Sequence, residues 1–402
     1  MSMFRHGYVA GPLLGLLWAL VIATTTAVVF SFATGGAYRP GGIGAGLLGA
    51  GLGTLAVAMP RLAGPVGLAL GAILAVTPVA AVVTGPDVAL WTALLAGGVA
   101  GAAIGWPIAA MMQGCRPGAL TRHEFEAAVI RFLTGFGYIF FTATVAIPFY
   151  VMVMTSLKNQ SELIQNPLDF SIDLSKGWGL FRSYAELFGQ FNFGSYLWTS
   201  FLVSVLTVII TLIFAIPGAY AVARLRFAGR AMISRSILLI YMVPMIVLAL
   251  PIYIAFSMLG LRNSIFGIVL IYPVTTIPVA LYMLQGYFRG LPAEIEEAGL
   301  MDGLSRLKVI WQITLPLSMP ALASVSLYVF MIAWNEFLLA FMLLDDPSKF
   351  TLTRGIAALN SSEIPRQHLM AGSVIATVPI MALFLGLERF MTKGLTAGSV
   401  KG

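Results

Sequence analysis

The sequence predicts an all-α polytopic membrane protein with about ten transmembrane helices. Three observations carry that expectation. Hydrophobic residues make up 59% of the 402-residue chain and charged residues only 10%, which excludes an ordinary soluble domain. Several apolar runs reach the roughly 20 residues that a helix needs to cross a bilayer. Those runs also lack the polar–apolar alternation that membrane β-strands carry.

In chain order the spans are predicted at 10–33, 43–60, 64–84, 88–112, 132–156, 196–223, 234–256, 264–288, 317–343 and 370–391. Arg5 and His6 precede the first run, which is longer than the core of a cleavable signal, so it reads as an uncleaved span. Before residue 112 the spans are rich in Gly and Ala. Gly97, Gly101 and Gly105 recur every four residues, as do Gly42 with Gly46, Gly49 with Gly53, and Gly67 with Gly71. Residues four apart share a helix face, so each set offers a smooth groove for close packing. Residues 1–112 are therefore expected to form an accessory transmembrane region. The polar stretch 113–131 reads as a cytoplasmic linker, and 132–402 as the principal domain. Cys115 is the single cysteine, which excludes an intrachain disulfide framework and reads as an inert thiol.

Lysines and arginines set the orientation. Arg5, Arg61, Arg116, Arg122 and Arg131, then Arg224, Arg226, Arg230 and Arg235, then Arg289, Arg306 and Lys308, and finally Arg389, Lys393 and Lys401 all fall on one side of ten spans. That side is predicted to be cytoplasmic and to hold both termini. The net charge of +7 follows from this topology, and no nucleic-acid partner is needed to explain it. Pro217, Pro244, Pro251, Pro273, Pro278 and Pro379 interrupt the later helices, as is common in membrane segments.

One segment breaks the apolar pattern. Pro292-Ala-Glu-Ile-Glu-Glu-Ala-Gly-Leu-Met-Asp-Gly303, followed by Leu315-Pro316 and Pro320, is charged and amphipathic between two long apolar runs. Such a span must lie on a membrane surface or dock on a soluble partner. Pro292 suits the first helical position, and Glu294, Glu296 and Glu297 place negative charge at the positive end of the helix. A helix over the whole segment would be about 18 Å long. The spacing of Glu297-Ala298, Asp302-Gly303 and Leu315-Pro316 resembles the cytoplasmic coupling motif of ABC importer permeases. Further motifs resemble the smaller permease of the maltose-type pair, in the family's order. They are Ala219-Tyr-Ala-Val-Ala-Arg-Leu-Arg226 with Phe227-Ala-Gly-Arg230, Pro244, Pro251 and Gly260-Leu261, Gly286 to Pro292, Ala333-Trp-Asn-Glu-Phe337, and the tail Lys393 to Gly402.

The resemblance covers about two thirds of the chain and implies a six-helix permease core preceded by about four additional helices. It implies that Glu294, Glu297, Ala298, Gly299, Asp302, Gly303, Leu315 and Pro316 couple the chain to an ATPase subunit. Gly299 departs from the family's usual Ala, as Leu304 does, and is expected to loosen the helix by up to about 1 kcal/mol. Asn335 and Glu336 lie inside a predicted span, where a carboxylate is costly. They read either as part of a translocation path or permease interface, with Tyr328, Tyr272 and Tyr282, or as a structural pairing with a neighbouring helix. The loop 344–369 carries few structural cues. Its Asn360, Ser361 and Ser362 are implied to face a solute-binding protein.

No Gly-x-x-x-x-Gly-Lys-Ser/Thr phosphate loop occurs, so ATP would be hydrolysed by another polypeptide. The expected protein is the permease subunit of an ATP-driven, binding-protein-dependent carbohydrate importer, carrying an oligosaccharide, glycoside or polyol through a bacterial inner membrane. It would have no catalytic residue, metal or cofactor of its own; ATP and Mg would sit in the partner. Implied partners are a second permease forming a heterodimer, two ATPase copies, a periplasmic or lipid-anchored solute-binding protein, and membrane lipid. A permease for a non-sugar solute and an ion-coupled secondary transporter remain as alternatives. The latter would need an inverted repeat and more intramembrane charges.

Overall fold

A computed structural model describes residues 3–166, 169–361 and 363–396. The chain forms two compact units, Met1–Leu180 and Phe181–Gly402.

The first unit is built on backbone-to-backbone packing. Helices α1 (Gly7–Thr34) and α2 (Gly42–Ala58) cross at Gly11, Gly15, Gly49 and Gly53. A Cβ on Gly15 would stand 2.1 Å from the carbonyl oxygen of Gly49, so no side chain fits between them. Helices α3 (Pro60–Leu74) and α4 (Leu90–Met111) repeat the device, with Gly67 and Gly71 against Gly101 and Gly97, and Ala63 against Gly105. The predicted glycine grooves at 49/53, 67/71 and 97/101/105 thus close on partners, whereas Gly42 meets nothing within 4 Å. A short antiparallel pair, β1 (Tyr38–Pro40) with β2 (Val82–Thr84), aligns Tyr38 with Thr84. Trp18 donates its indole N–H to the carbonyl of Ala103 at 3.0 Å and anchors a core with Leu14, Ile22, Leu52 and Ile104.

The expected third span, 64–84, is not one helix. It ends at Leu74, ahead of the Thr77-Pro78 step, and 82–84 is strand. The second span ends at Ala58, because Pro60 pushes Met59 out of helical geometry (φ −140°, ψ 72°) and then starts α3. At 17 and 15 residues, α2 and α3 are about 26 and 22 Å long, short of the roughly 30 Å hydrocarbon core.

Helix α5 (Arg122–Ser156) opens on a capping box in which Thr121 and Glu124 exchange hydrogen bonds. It packs with α1 and α4 in the first unit, although the sequence assigns it to the region from 132 onward. The Arg131 guanidinium donates to the carbonyls of Met111 and Gln113 at the end of α4, at 3.3 and 2.6 Å. Toward the other end the Tyr150 hydroxyl lies 3.0 Å from the carbonyl of Phe32, and the two rings stack. Cys115 sits half-buried between α4 and α5, where burial, with Glu124 adding to it, pushes the thiol up. Beyond α5 lies a short α6 (Gln160–Gln165), and Lys158 pairs there with Asp169 at 3.0 Å while Lys176 pairs with Glu162.

The second unit begins with α7 (Arg182–Gln190) and centres on α8 (Phe193–Arg224), which packs on α11 (Ile265–Gly290) and α15 (Met319–Asn335). The span expected at 234–256 is broken into α9 (Arg230–Tyr241) and α10 (Met245–Met258), with extended Pro244 between them. After α11 come the short α12 (Ala293–Met301), α13 (Arg306–Val309), a π turn over Ile310–Thr314, and α14 (Leu315–Leu317). The chain then bends by 81° into α15. The span expected at 317–343 stops at Asn335, where Glu336 is extended (ψ 125°), and resumes as α16 (Leu338–Leu343).

The supposedly cue-poor loop holds an amphipathic helix, α17 (Leu352–Leu359). It buries Leu352, Gly355 and Leu359, with Gly355 flush against the Tyr196 ring. Helix α18 (Arg366–Thr396) closes the unit, accepting the Trp334 indole N–H at the carbonyl of Ala376, 3.1 Å away.

Among the described residues, α1, α4, α5, α8, α11 and α18 are long and apolar enough to span a membrane, and the bent pair 306–317 with 319–335 would make a seventh.

Candidate functional site

The charged segment folds as expected in kind and shorter in extent. Helix α12 has nine residues, about 13 Å, and Pro292 caps it in extended geometry instead of entering it. Its end is sharply defined. Gly303 adopts φ +84°, the Gly303 N–H bonds to the carbonyl of Leu300, and the Leu304 N–H to that of Gly299, both at 3.1 Å. This pair of bonds closes a helix with a left-handed residue, a conformation that favours glycine. The glycine of Asp302-Gly303 therefore has a backbone role, and Asp302 is left exposed at the turn.

The helix has two faces. Glu294, Glu297 and Ala298 are exposed, and Met301 at its tip is 88% exposed. Glu296 and Gly299 face inward. Gly299 lies under Ile313, whose terminal methyl carbon would stand 2.5 Å from an added Cβ. Leu315 is half-buried and Pro316 exposed, on the stretch that follows the π turn. Leu307 and Trp311, on the same stretch, are 71% and 70% exposed. A small surface of acids and large apolar side chains thus lies around α12, a composition suited to a protein partner.

Glu296 has the most constrained carboxylate of the three, and the sequence alone did not single it out. It accepts a hydrogen bond from the Tyr220 hydroxyl at 3.2 Å and from the Thr314 hydroxyl at 3.1 Å. The Arg224 guanidinium lies 3.4 Å from it and also donates to the carbonyl of Leu291 at 2.7 Å. Arg230 in turn donates to the carbonyls of Val222 and Ala223, satisfying the end of α8.

The second candidate set is less coherent. The Glu336 carboxylate accepts from the backbone N–H groups of Leu339 and Ala340, at 2.9 and 3.2 Å, and so caps α16. Asn335 is exposed and donates to the carbonyl of Met331 on its own helix. Tyr282 is exposed and Tyr328 half-buried. Tyr272 is fully buried, with its hydroxyl beside the Glu336 carboxylate. Sequence reasoning also missed a stripe of buried hydroxyls on α8: Thr199, Ser200, Ser204, Thr207 and Thr211. From Ser200 onward their spacing of three and four residues is the signal that would have found it. Asn360 and Ser361 are exposed just after α17, whereas Ser362 and residues 397–402 of the tail lie outside the described residues.

Residues 215–396 match the family model described as "binding-protein-dependent transport system inner membrane component". The chain is 39% identical over 269 residues to the inner membrane ABC transporter permease protein YcjP of Escherichia coli (strain K12), covering 66% of this chain and 95% of that one. It is 33% identical to the trehalose/maltose transport system permease protein MalG of Thermococcus litoralis, covering 69% of this chain and 99% of that one. It is 30% identical to the arabinooligosaccharides transport system permease protein AraQ of Halalkalibacterium halodurans, over 68% of this chain and 98% of that one. The fold is like that of a chain in the crystal structure of a bacterial ABC transporter that imports alginate, with a TM-score of 0.57 and 22% identity. That match covers 67% of this chain and 98% of the other.

Proposed function

The chain belongs to the family of binding-protein-dependent transport system inner membrane components, and from that membership we propose that it is the permease subunit of an ATP-driven carbohydrate importer. It is a multi-pass inner membrane protein and a transporter component, not a catalyst. The relatives named for trehalose and maltose, arabinooligosaccharides and diacetylchitobiose favour an oligosaccharide or glycoside as the cargo. The partners in this reading are a second permease, two copies of an ATPase subunit and a solute-binding protein. Both termini lie in the cytoplasm.

The observation that carries the reading is the division of α12 into an anchored face and an exposed one. Glu296 holds one face to the body of the unit, and Glu294, Glu297, Ala298, Met301 and Asp302 are left on the other. An ATPase subunit receiving that face would bind ATP and Mg and close around them, moving the helix, and would open again on hydrolysis. This chain supplies the lever and the wall of a path, with no covalent chemistry. The ion-coupled alternative loses ground, because Glu336 is engaged by two backbone amides.

Purification of the tagged chain in mild detergent from its native host, followed by mass spectrometry, tests the proposal. An ATPase subunit should co-purify and be lost when Glu297→Lys and Asp302→Lys are combined. A solute-binding protein recovered with it can be screened against oligosaccharides. A chain that purifies alone and moves solute under an ion gradient without ATP overturns the reading.

A further inference from the structure

We propose that Glu296 is the positioning residue that fixes the coupling helix to the inner end of α8, so that α12, the end of α8 and the 306–314 stretch move as one body. The inference rests on the function proposed above. Three elements distant in sequence converge on one buried carboxylate: Tyr220 and Arg224 from α8, Thr314 from the end of the π turn, and Glu296 itself. Glu296 is only 7% exposed, and Arg224 binds the carbonyl of Leu291 directly ahead of the helix. Without these partners a buried carboxylate would be strongly disfavoured, so the arrangement holds together or opens as a unit. Gly299 adds an apolar contact to the same stretch through Ile313, Leu304 and Val309. A push on the exposed acids of α12 is thereby delivered to α8, whose buried face packs on α11 and α15.

The role differs from that of Glu294 and Glu297, which would touch the partner. Loss of Glu296 should leave docking in place and weaken transmission. The test uses the complete importer reconstituted in liposomes, measuring sugar taken up per ATP hydrolysed and the ATPase retained on purification. Glu296→Ala should retain the ATPase while uptake per ATP falls about fivefold, within the range by which mutations along a coupling network act. Glu296→Gln keeps an acceptor for Tyr220 and Thr314 and should recover most of the lost uptake. A purely structural role would lower uptake and hydrolysis together and leave their ratio unchanged, and that result would overturn the proposal. Should Glu296→Ala fail to assemble, Tyr220→Phe and Thr314→Val each remove one donor at nearly constant volume. Each should lower the ratio about twofold, and an unchanged ratio in both overturns the inference. If the unaltered chain retains no ATPase, the function proposed above fails first, which separates the two failures.

Discussion

The hydroxyls of Thr211 and Thr276 lie 2.6 Å apart across the buried contact between α8 and α11. Each is fully buried, so each depends on the other for a partner outside its own helix. Replacing either with Val leaves the other without a partner across the contact, at about 1–2 kcal/mol. Replacing both should cost clearly less than the sum, with a coupling of about 0.6–1.7 kcal/mol, the range for polar pairs between membrane helices. Unfolding midpoints of the two single variants and the double variant in detergent give this coupling directly.

The glycine seam of the first unit makes a sharper prediction. Gly101→Ala would place its Cβ 1.9 Å from the carbonyl oxygen of Gly67, so α3 and α4 must separate. A loss of roughly 1–3 kcal/mol should follow. Gly51→Ala meets nothing within 4 Å and should be neutral or gain up to about 1 kcal/mol of helix propensity. Thermal unfolding of both variants checks the contrast.

In α12 and the turn that ends it, Gly299 and Gly303 should respond differently. Gly303→Ala forces a side chain into a left-handed conformation at φ +84°, costing about 1–2 kcal/mol. It should loosen the end of α12, which hydrogen exchange at Leu304 would register. Gly299→Ala improves helix propensity but collides with Ile313, so it should be near neutral alone. Combined with Ile313→Val, which removes the clashing methyl, it should stabilise α12. The softness expected of Gly299 from the sequence is thus offset by the side chain packed over it.

Acid should act on the clasp beyond α5. Burial alone would raise the Asp169 carboxyl, but hydrogen bonds from the Ser171 hydroxyl and amide, and from Lys158, outweigh it and hold the group at about 2. A carboxyl depressed in the folded state contributes stability above its ordinary value of 3.8 and loses it as pH falls through 2. Residues 157–166 and 169–176 should therefore keep their protection against amide exchange from neutral pH down to about 4 and lose it below that. Asp169→Asn should lose the protection at neutral pH.

How much of this was legible in the sequence depends on the distance over which each feature is determined. The long helices α5, α8 and α11 could be read because twenty consecutive apolar residues have one common solution in a bilayer. The interruptions at Met59-Pro60 and Pro244 were written in the prolines, yet a hydropathy average smooths over single residues. Helix α17 was missed although Leu352, Gly355 and Leu359 recur at helical spacing, because the segment is short and flanked by polar residues. Glu296 was not separable from Glu294 and Glu297 in sequence. Its burial is decided by Tyr220 and Arg224, some seventy residues earlier, and no local pattern encodes that meeting.

The anchoring of α5 by Arg131 and Tyr150 has a consequence for how the chain is made. Synthesis runs from the N-terminus, so α1 to α4 are complete before α5 leaves the ribosome. Its aromatic flank, with Phe132 edge-on to Trp18, therefore meets a finished surface the moment it is inserted. It need not wait in lipid for the helices that begin at Phe193. A nascent chain halted with Ser156 exposed should already shield the stretch between α4 and α5 from protease, and Arg131→Met should strip that shield. The first unit would then have its last long helix seated before the second unit has left the ribosome.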